Sequence, residues 1–140
     1  MPALTLKQII DRFQAVMEAS PVSMTATREP FSHDLQPNTL LTNTYRIEDA
    51  GLRDSKSMTN RTAARVDALR VWVARKMTFA GQTAVEAVED SLVAIERALI
   101  ADGLAQGYHV MPRSRDAKRK NDFVIASMTF DVDYDFNESA

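Results

Sequence analysis

Three groups of side chains in this 140-residue chain carry chemical potential, and each points to a different chemistry. Asp131, Asp133 and Asp135 stand at alternate positions, separated by Val132 and Tyr134. Carboxylates two residues apart on a strand lie about 6.6 Å from one another. One hard cation draws its oxygens to within about 2.6 Å of itself, which takes a curled loop. The series also lacks the glycine and distal glutamate of a calcium loop. It reads as an acidic strip on one strand face, solvated or turned toward a basic partner. The second group is Arg113, Arg115, Lys118, Arg119 and Lys120, opposed only by Asp116. Such a run suits phosphate or an acidic protein surface, and equally a solvated loop. No aromatic interrupts it, so stacking on bases has no support. The third group is the two histidines, His33 beside Asp34 and His109 beside Tyr108. A His–Asp pair moves protons when a cleft holds it. Neither histidine is accompanied by a nucleophile motif, a glycine-rich phosphate loop or a second histidine four residues away. Surface or structural histidine is the plainer reading. Trp72, the only tryptophan, suits a core or interface anchor.

Composition narrows the classes. The net charge of −2 gives no bulk argument for a nucleic-acid binder. The absence of cysteine excludes a disulfide scaffold, a thiol nucleophile and a thiolate metal site. Leu4–Met17 is interrupted by Lys7, Asp11 and Arg12, unlike the core of a signal peptide. No apolar run approaches the roughly 20 residues that span a bilayer. The expectation is a soluble protein made in the cytoplasm, with no membrane partner and no cofactor. The length is enough for one domain over residues 1–140 with a proper core.

The elements that must position these groups follow from periodicity. A first helix is expected from Thr5 to Ser20. Thr5 and Gln8 form a capping box, and Leu6, Ile9, Ile10, Phe13, Val16 and Met17 form one apolar stripe ended by Pro21. Residues 21–41, with three prolines, read as loop with room for a short edge strand. Thr42–Asp49 alternates as a strand, and the polar residues 50–61 read as a mobile loop. Residues 62–78 fit a helix through Val66, Leu69, Val73 and Met77, or a strand through Leu69, Val71 and Val73. β-Branched and aromatic content tips them toward strand. A second helix is expected over Gln82–Ala101, opened by a Thr83–Glu86 capping box and closed near Gly103. Tyr108–Met111 reads as a short strand and Pro112–Asn121 as a polar, basic loop.

The clearest element is the last. From Phe123 to Phe136, Val124, Ala126, Met128, Phe130, Val132, Tyr134 and Phe136 point one way, and Ile125, Ser127, Thr129 and the three aspartates the other. Such a strand runs roughly 45 Å, against a radius of gyration of about 14 Å for a compact domain of this length. A strand that long suits a protein that builds a larger object by lateral contact. The order predicts an α+β domain: a mostly antiparallel or mixed sheet, two main helices on one face, and a long C-terminal strand.

In its element order and its two ends the chain resembles the tail terminator (tail completion or neck) proteins of long-tailed bacteriophages. In that family a leading helix precedes strands, a central helix, a Gly-Tyr turn into a short strand, a loop, and a closing strand of alternating aromatic and acidic residues. The matching pieces are Leu6–Met17, Thr42–Asp49, Ala64–Arg75, Thr83–Ile100, Gly107-Tyr108-His109-Val110 and Thr129–Phe136. The resemblance covers most of the chain and is one of pattern. It implies a non-enzymatic virion protein. Its homo-hexameric ring would cap the tail tube, end elongation and meet the head-completion or connector protein, with DNA passing through the lumen without specific binding. Under that reading the basic run 113–120 and the acidic Asp131, Asp133 and Asp135 are contact patches, with Trp72 as an anchor. Two other functions fit the residues: a small-ligand module with a pocket near Tyr108, His109 and Trp72, and a weak nucleic-acid binder using the basic run.

Overall fold

Residues that alternate in polarity become an internal strand when neighbours pair along both edges, and Phe123–Asn137 does so. The computed structural model describes residues 5–19, 22–27, 44–57, 62–76, 82–120 and 123–137. They form α1 (Leu6–Glu18), β1 (Thr25–Ala26), β2 (Thr44–Ser57), β3 (Thr62–Lys76), α2 (Gln82–Gln106), β4 (His109–Lys120) and β5 (Phe123–Asn137). The chain is a single α+β domain. Its five strands form one sheet in the order β1-β2-β3-β5-β4. β1 and β2 are parallel and every other pair antiparallel, so the sheet is mixed.

Both helices lie on one face. Ile9, Phe13 and Met17 of α1 and Leu92, Ile95 and Leu99 of α2 pack on Leu69, Val71 and Val73 of β3 and on Ala126, Met128, Phe130, Val132 and Tyr134 of β5. Phe13 meets Phe130 edge to face, with ring centroids 6.1 Å apart. The other face carries a smaller buried cluster of Trp72, Ala74 and Ile125. Thr5 caps α1 as its sequence indicates: the Gln8 N–H donates to the Thr5 hydroxyl, and the Thr5 N–H donates to the Gln8 side chain. The capping box read at Thr83 and Glu86 lies outside the described side chains, as do His33 and Asp34.

Two segments read as loops are strands. Residues 50–57 continue β2, paired antiparallel with β3, and 58–61 lie outside the described residues. Gly51, at a φ of +103°, takes up the bulge between Asp49 and its own rung, and its N–H donates to the Asp49 carboxylate at 2.8 Å. Residues 112–120 continue β4 against β5 instead of forming a basic loop. Their side chains show no apolar alternation because β4 is an edge strand, bonded to β5 alone and exposed from Met111 to Lys118. Pro112, which has no N–H to donate, is tolerated at an edge.

The third correction concerns the end of α2. The helix runs past Gly103 to Gln106 and stops at Gly107, whose φ is +95° and whose N–H returns to the Gly103 carbonyl. Gly103 is needed for space. A Cβ there would sit 2.6 Å from the Tyr108 carbonyl oxygen. That close approach seats Tyr108 in the core, where its hydroxyl donates to Asp102 at 2.7 Å. Arg12 of α1 grips the same carboxylate with Nη2 at 2.6 Å and Nε at 3.3 Å. This cluster ties both helices to the start of β4. Burial alone would raise the pKa of Asp102; the hydrogen bonds from Arg12 and Tyr108 outweigh it and hold the carboxyl below its ordinary value.

Gly103→Ala is expected to lower the unfolding free energy by about 1–3 kcal/mol through overpacking, read from urea denaturation; an unchanged midpoint would mean that the Tyr108 carbonyl yields freely. Because the native Asp102 binds its proton less readily than the unfolded chain does, its contribution is present above the ordinary carboxylate range and is lost as pH falls through the depressed native pKa. Denaturation from neutral to acid pH should therefore show a loss of stability that is shallower in Asp102→Asn.

Candidate functional site

The register of the sheet decides where the sequence's charged groups go. β4 pairs with β5 in step from His109 opposite Asp133 to Pro112 opposite Phe130, then resumes at Ser114 opposite Thr129. Arg113 is the extra residue. Before the bulge, Val110 joins the helix-side core; after it, Arg115 reaches the helix side and bonds Glu96 of α2 at 3.4 Å. Arg113 itself turns to the other face and donates from Nε to Asp131 at 2.5 Å.

The basic run is therefore not one patch. Arg115 serves the helix side, Arg113 the opposite side, and Lys118 is exposed on the rung of Ile125 and Ala74. Arg119 and Lys120 hold places in β4 opposite Val124 and Phe123, and their side chains lie outside the described residues. The acidic strip divides too. Asp131 is buried, its side chain 6 % exposed beneath Arg113. Asp133 is exposed, and the side chain of Asp135 lies outside the described residues. One of the charge pairs offered for contact between subunits is thus closed within the chain.

Around the start of β4 the reverse face is hollow. Val66, His109, Val110, Met111, Pro112, Arg113, Asp131 and Asp133 line a concavity of about 480 Å³. Ala68 and Asp131 share a rung with Met111, and two rungs on, on the same face, Val66 and Asp133 share one with His109. Met111 is 56 % exposed there, an apolar side chain beside carboxylates. Among the described residues, no group of His, Asp or Glu is placed to hold a metal ion.

Trp72 stands on the reverse face, away from the helices, and its indole N–H donates to Glu48 at 3.0 Å. Tyr108 is in the helix-side core and His109 is exposed. Tyr108 and Trp72, expected together at a pocket between helix two and the sheet, belong to buried clusters on opposite faces, while His109 lines the concavity.

Register also gathers residues that sequence proximity hides. Lys76, Phe123 and Lys120 share the terminal rung; Arg75, Val124 and Arg119 share the next; Ala74, Ile125 and Lys118 the third. Five basic positions from two distant segments thus meet at one end of the sheet. The Arg75 guanidinium is bonded to the Ser91 hydroxyl of α2, and burial pulls its pKa down. No local pattern announces this cluster, since Arg75 and Arg119 are brought together only through β5.

At the opposite end, Asp67 is buried on the helix side. Its carboxylate accepts from the Tyr134 hydroxyl at 2.6 Å and faces the Arg65 guanidinium at 3.9 Å. Burial, then this hydrogen bond, pushes the Tyr134 pKa up.

The sequence matches no family model, and no curated protein is similar to it. Among the described residues, no helix is long and apolar enough to cross a membrane.

Arg113→Ala leaves the Asp131 carboxylate buried without this donor. The expected cost is about 1–3 kcal/mol, as for a lost hydrogen bond to a charged group. Arg113→Ala with Asp131→Ala should recover part of it. Additive losses in the double-mutant cycle would show that the pair is not coupled.

Proposed function

We propose that this chain is a structural bacteriophage protein whose copies form a hexameric ring on the end of the tail tube. The ring ends tube elongation, presents a surface to the head-completion or connector protein, and lets DNA through its lumen without specific binding. It works in the assembled virion, after synthesis in the host cytoplasm, and acts by fit without chemical turnover. Another small connector or neck protein of the same virion junction is the nearest alternative.

The observation that carries the reading is how far the sheet extends. β3 and β5 have 15 residues each, about 50 Å of strand. The last described core positions on the helix side are Asp67 and Tyr134. Beyond them β2, β3 and β5 stay paired, through Ser57 opposite Ala63 and Thr62 opposite Asn137. β4 has already ended, at His109 opposite Asp133. A three-stranded extension of this kind gives a subunit reach toward its neighbours. Both long edges favour controlled contact over indiscriminate stacking. β4 has Pro112, a bulge and a run of cations, and β2 has two irregularities in register. A closed ring satisfies the same constraint by leaving no edge for further addition.

Native mass spectrometry over a concentration series, with electron microscopy of tube polymerisation in the presence of the chain, tests this reading. The expected result is a sixfold species and tubes of limited length bearing a cap. A chain that is monomeric in solution and leaves tube growth unaltered would remove the reading.

A further inference from the structure

The outer side of β4 is open. The strand is bonded to β5 alone, and every residue from Met111 to Lys118 is exposed. Such an edge presents a row of N–H and C=O groups that a further strand can take up. α2 stands beside it. The chain reverses at Gly107, and the Arg115–Glu96 bond holds β4 alongside the helix. Ile100 and Leu104 follow Glu96 at intervals of four residues, on the same side of α2. Ile100 is only partly buried, and Leu104 is 67 % exposed. On this helix side β4 itself offers Pro112 and Ala117, on the rungs of Phe130 and Ala126. The edge therefore has an apolar shelf on one face.

Its other face is polar. Ser114, Asp116 and Lys118 lie there, on the rungs of Thr129, Ser127 and Ile125. Arg113 and Arg115 are already paired, with Asp131 and Glu96, and Asp116 is engaged within the chain. Lys118 is the exposed charge left to select a partner. The inner edge of β4 shows which strand chemistry suits it. There β5 turns Met128 and Phe130 to the helices and Asp131 to the reverse face, where it meets Arg113.

We propose that the outer edge of β4 takes up an extended segment of another protein by strand addition, with apolar residues on the α2 side and a carboxylate opposite Lys118. Charge selects that occupant. A second copy of β4 would set cations against cations, which is unfavourable across a strand pair. The outer edge of β2 has two irregularities in register and offers no regular row to pair with. The contact needs one copy only, so it stands or falls separately from the ring.

The test uses the full chain and a fluorescent, end-capped peptide of about eight residues that alternates valine with glutamate, long enough to run along the exposed edge. Binding is read by anisotropy, and strand addition by amide hydrogen exchange. Saturable binding that slows exchange within Ser114–Lys118 is expected. Lys118→Glu should weaken it about fivefold and Leu104→Ser about tenfold. Both residues are exposed, so these variants are expected to fold, with circular dichroism as the check. A valine–lysine peptide should bind Lys118→Glu in preference to the wild type.

A wild-type chain that does not bind the valine–glutamate peptide overturns the proposal. Polyglutamate that binds equally well, or binding that leaves exchange in β4 unchanged, reduces the surface to charge attraction and overturns strand addition. Protection of β4 that rises with chain concentration in the absence of peptide makes a second copy the occupant and overturns the assignment. Duplex DNA that displaces the peptide and is itself lost with Lys118→Glu assigns the edge to nucleic acid, and the proposal fails. None of these outcomes alters tube capping, which judges the ring by itself.

Discussion

β5 is the strand on which the rest of the structure depends. Its alternation buries Ala126, Met128, Phe130, Val132 and Tyr134 against two helices, while its backbone is bonded to β3 on one side and β4 on the other. A shift of one residue in its pairing would carry every one of these side chains to the wrong face. The hydrophobic penalty for that shift is about 1.5–3 kcal/mol for each large side chain exposed, which makes the register effectively single-valued. Everything charged on β3 and β4 then takes its place from β5.

That dependence explains why charge and core are arranged as they are. The helix side is closed by burial and by the Arg12–Asp102–Tyr108 cluster, which fastens α1, α2 and the entry to β4 around one carboxylate. The reverse face mixes a small apolar cluster at one end with a concavity at the other. The bulge at Arg113 separates the two uses of β4: Val110 packs in the core before it, and Arg115 bonds a helix after it. A single extra residue thereby turns one basic run into side chains with three different surroundings. Bulges are common where a strand must re-aim a side chain, and here the re-aimed residue covers Asp131.

The paired reach of β3 and β5, and not the bulk charge, is what supports the proposed phage-assembly reading. A net charge of −2 says nothing about partners. Pro112, a bulge and a run of cations along β4, and two irregularities along β2, discourage uncontrolled strand addition. Together these features suit an object whose growth must stop at a defined number of copies.

Strong local signals made part of this legible in the sequence. The Thr5–Gln8 capping box, the apolar stripe of α1, the core of α2, the strand character of residues 62–76 and the faces of β5 all follow from periods of 3.6 and 2, because each buries one face against a core. The edge strand β4 and the outer half of β2 were not legible. An edge strand exposed along one side needs no apolar alternation, so Arg113–Lys120 and Asp54–Ser57 look like loop. Gly103 resembled a helix cap, because a glycine required for close packing and one required for a left-handed turn are the same letter. The candidate site was legible only as composition: basic residues in one run, acidic residues in another. Tertiary structure alone decided that Arg113 and Asp131 neutralise each other, that Trp72 and Tyr108 lie on opposite faces, and that Arg75 and Arg119 share a rung through Val124. Those outcomes depend on cross-strand register, a relation between residues far apart in the chain that no local pattern encodes.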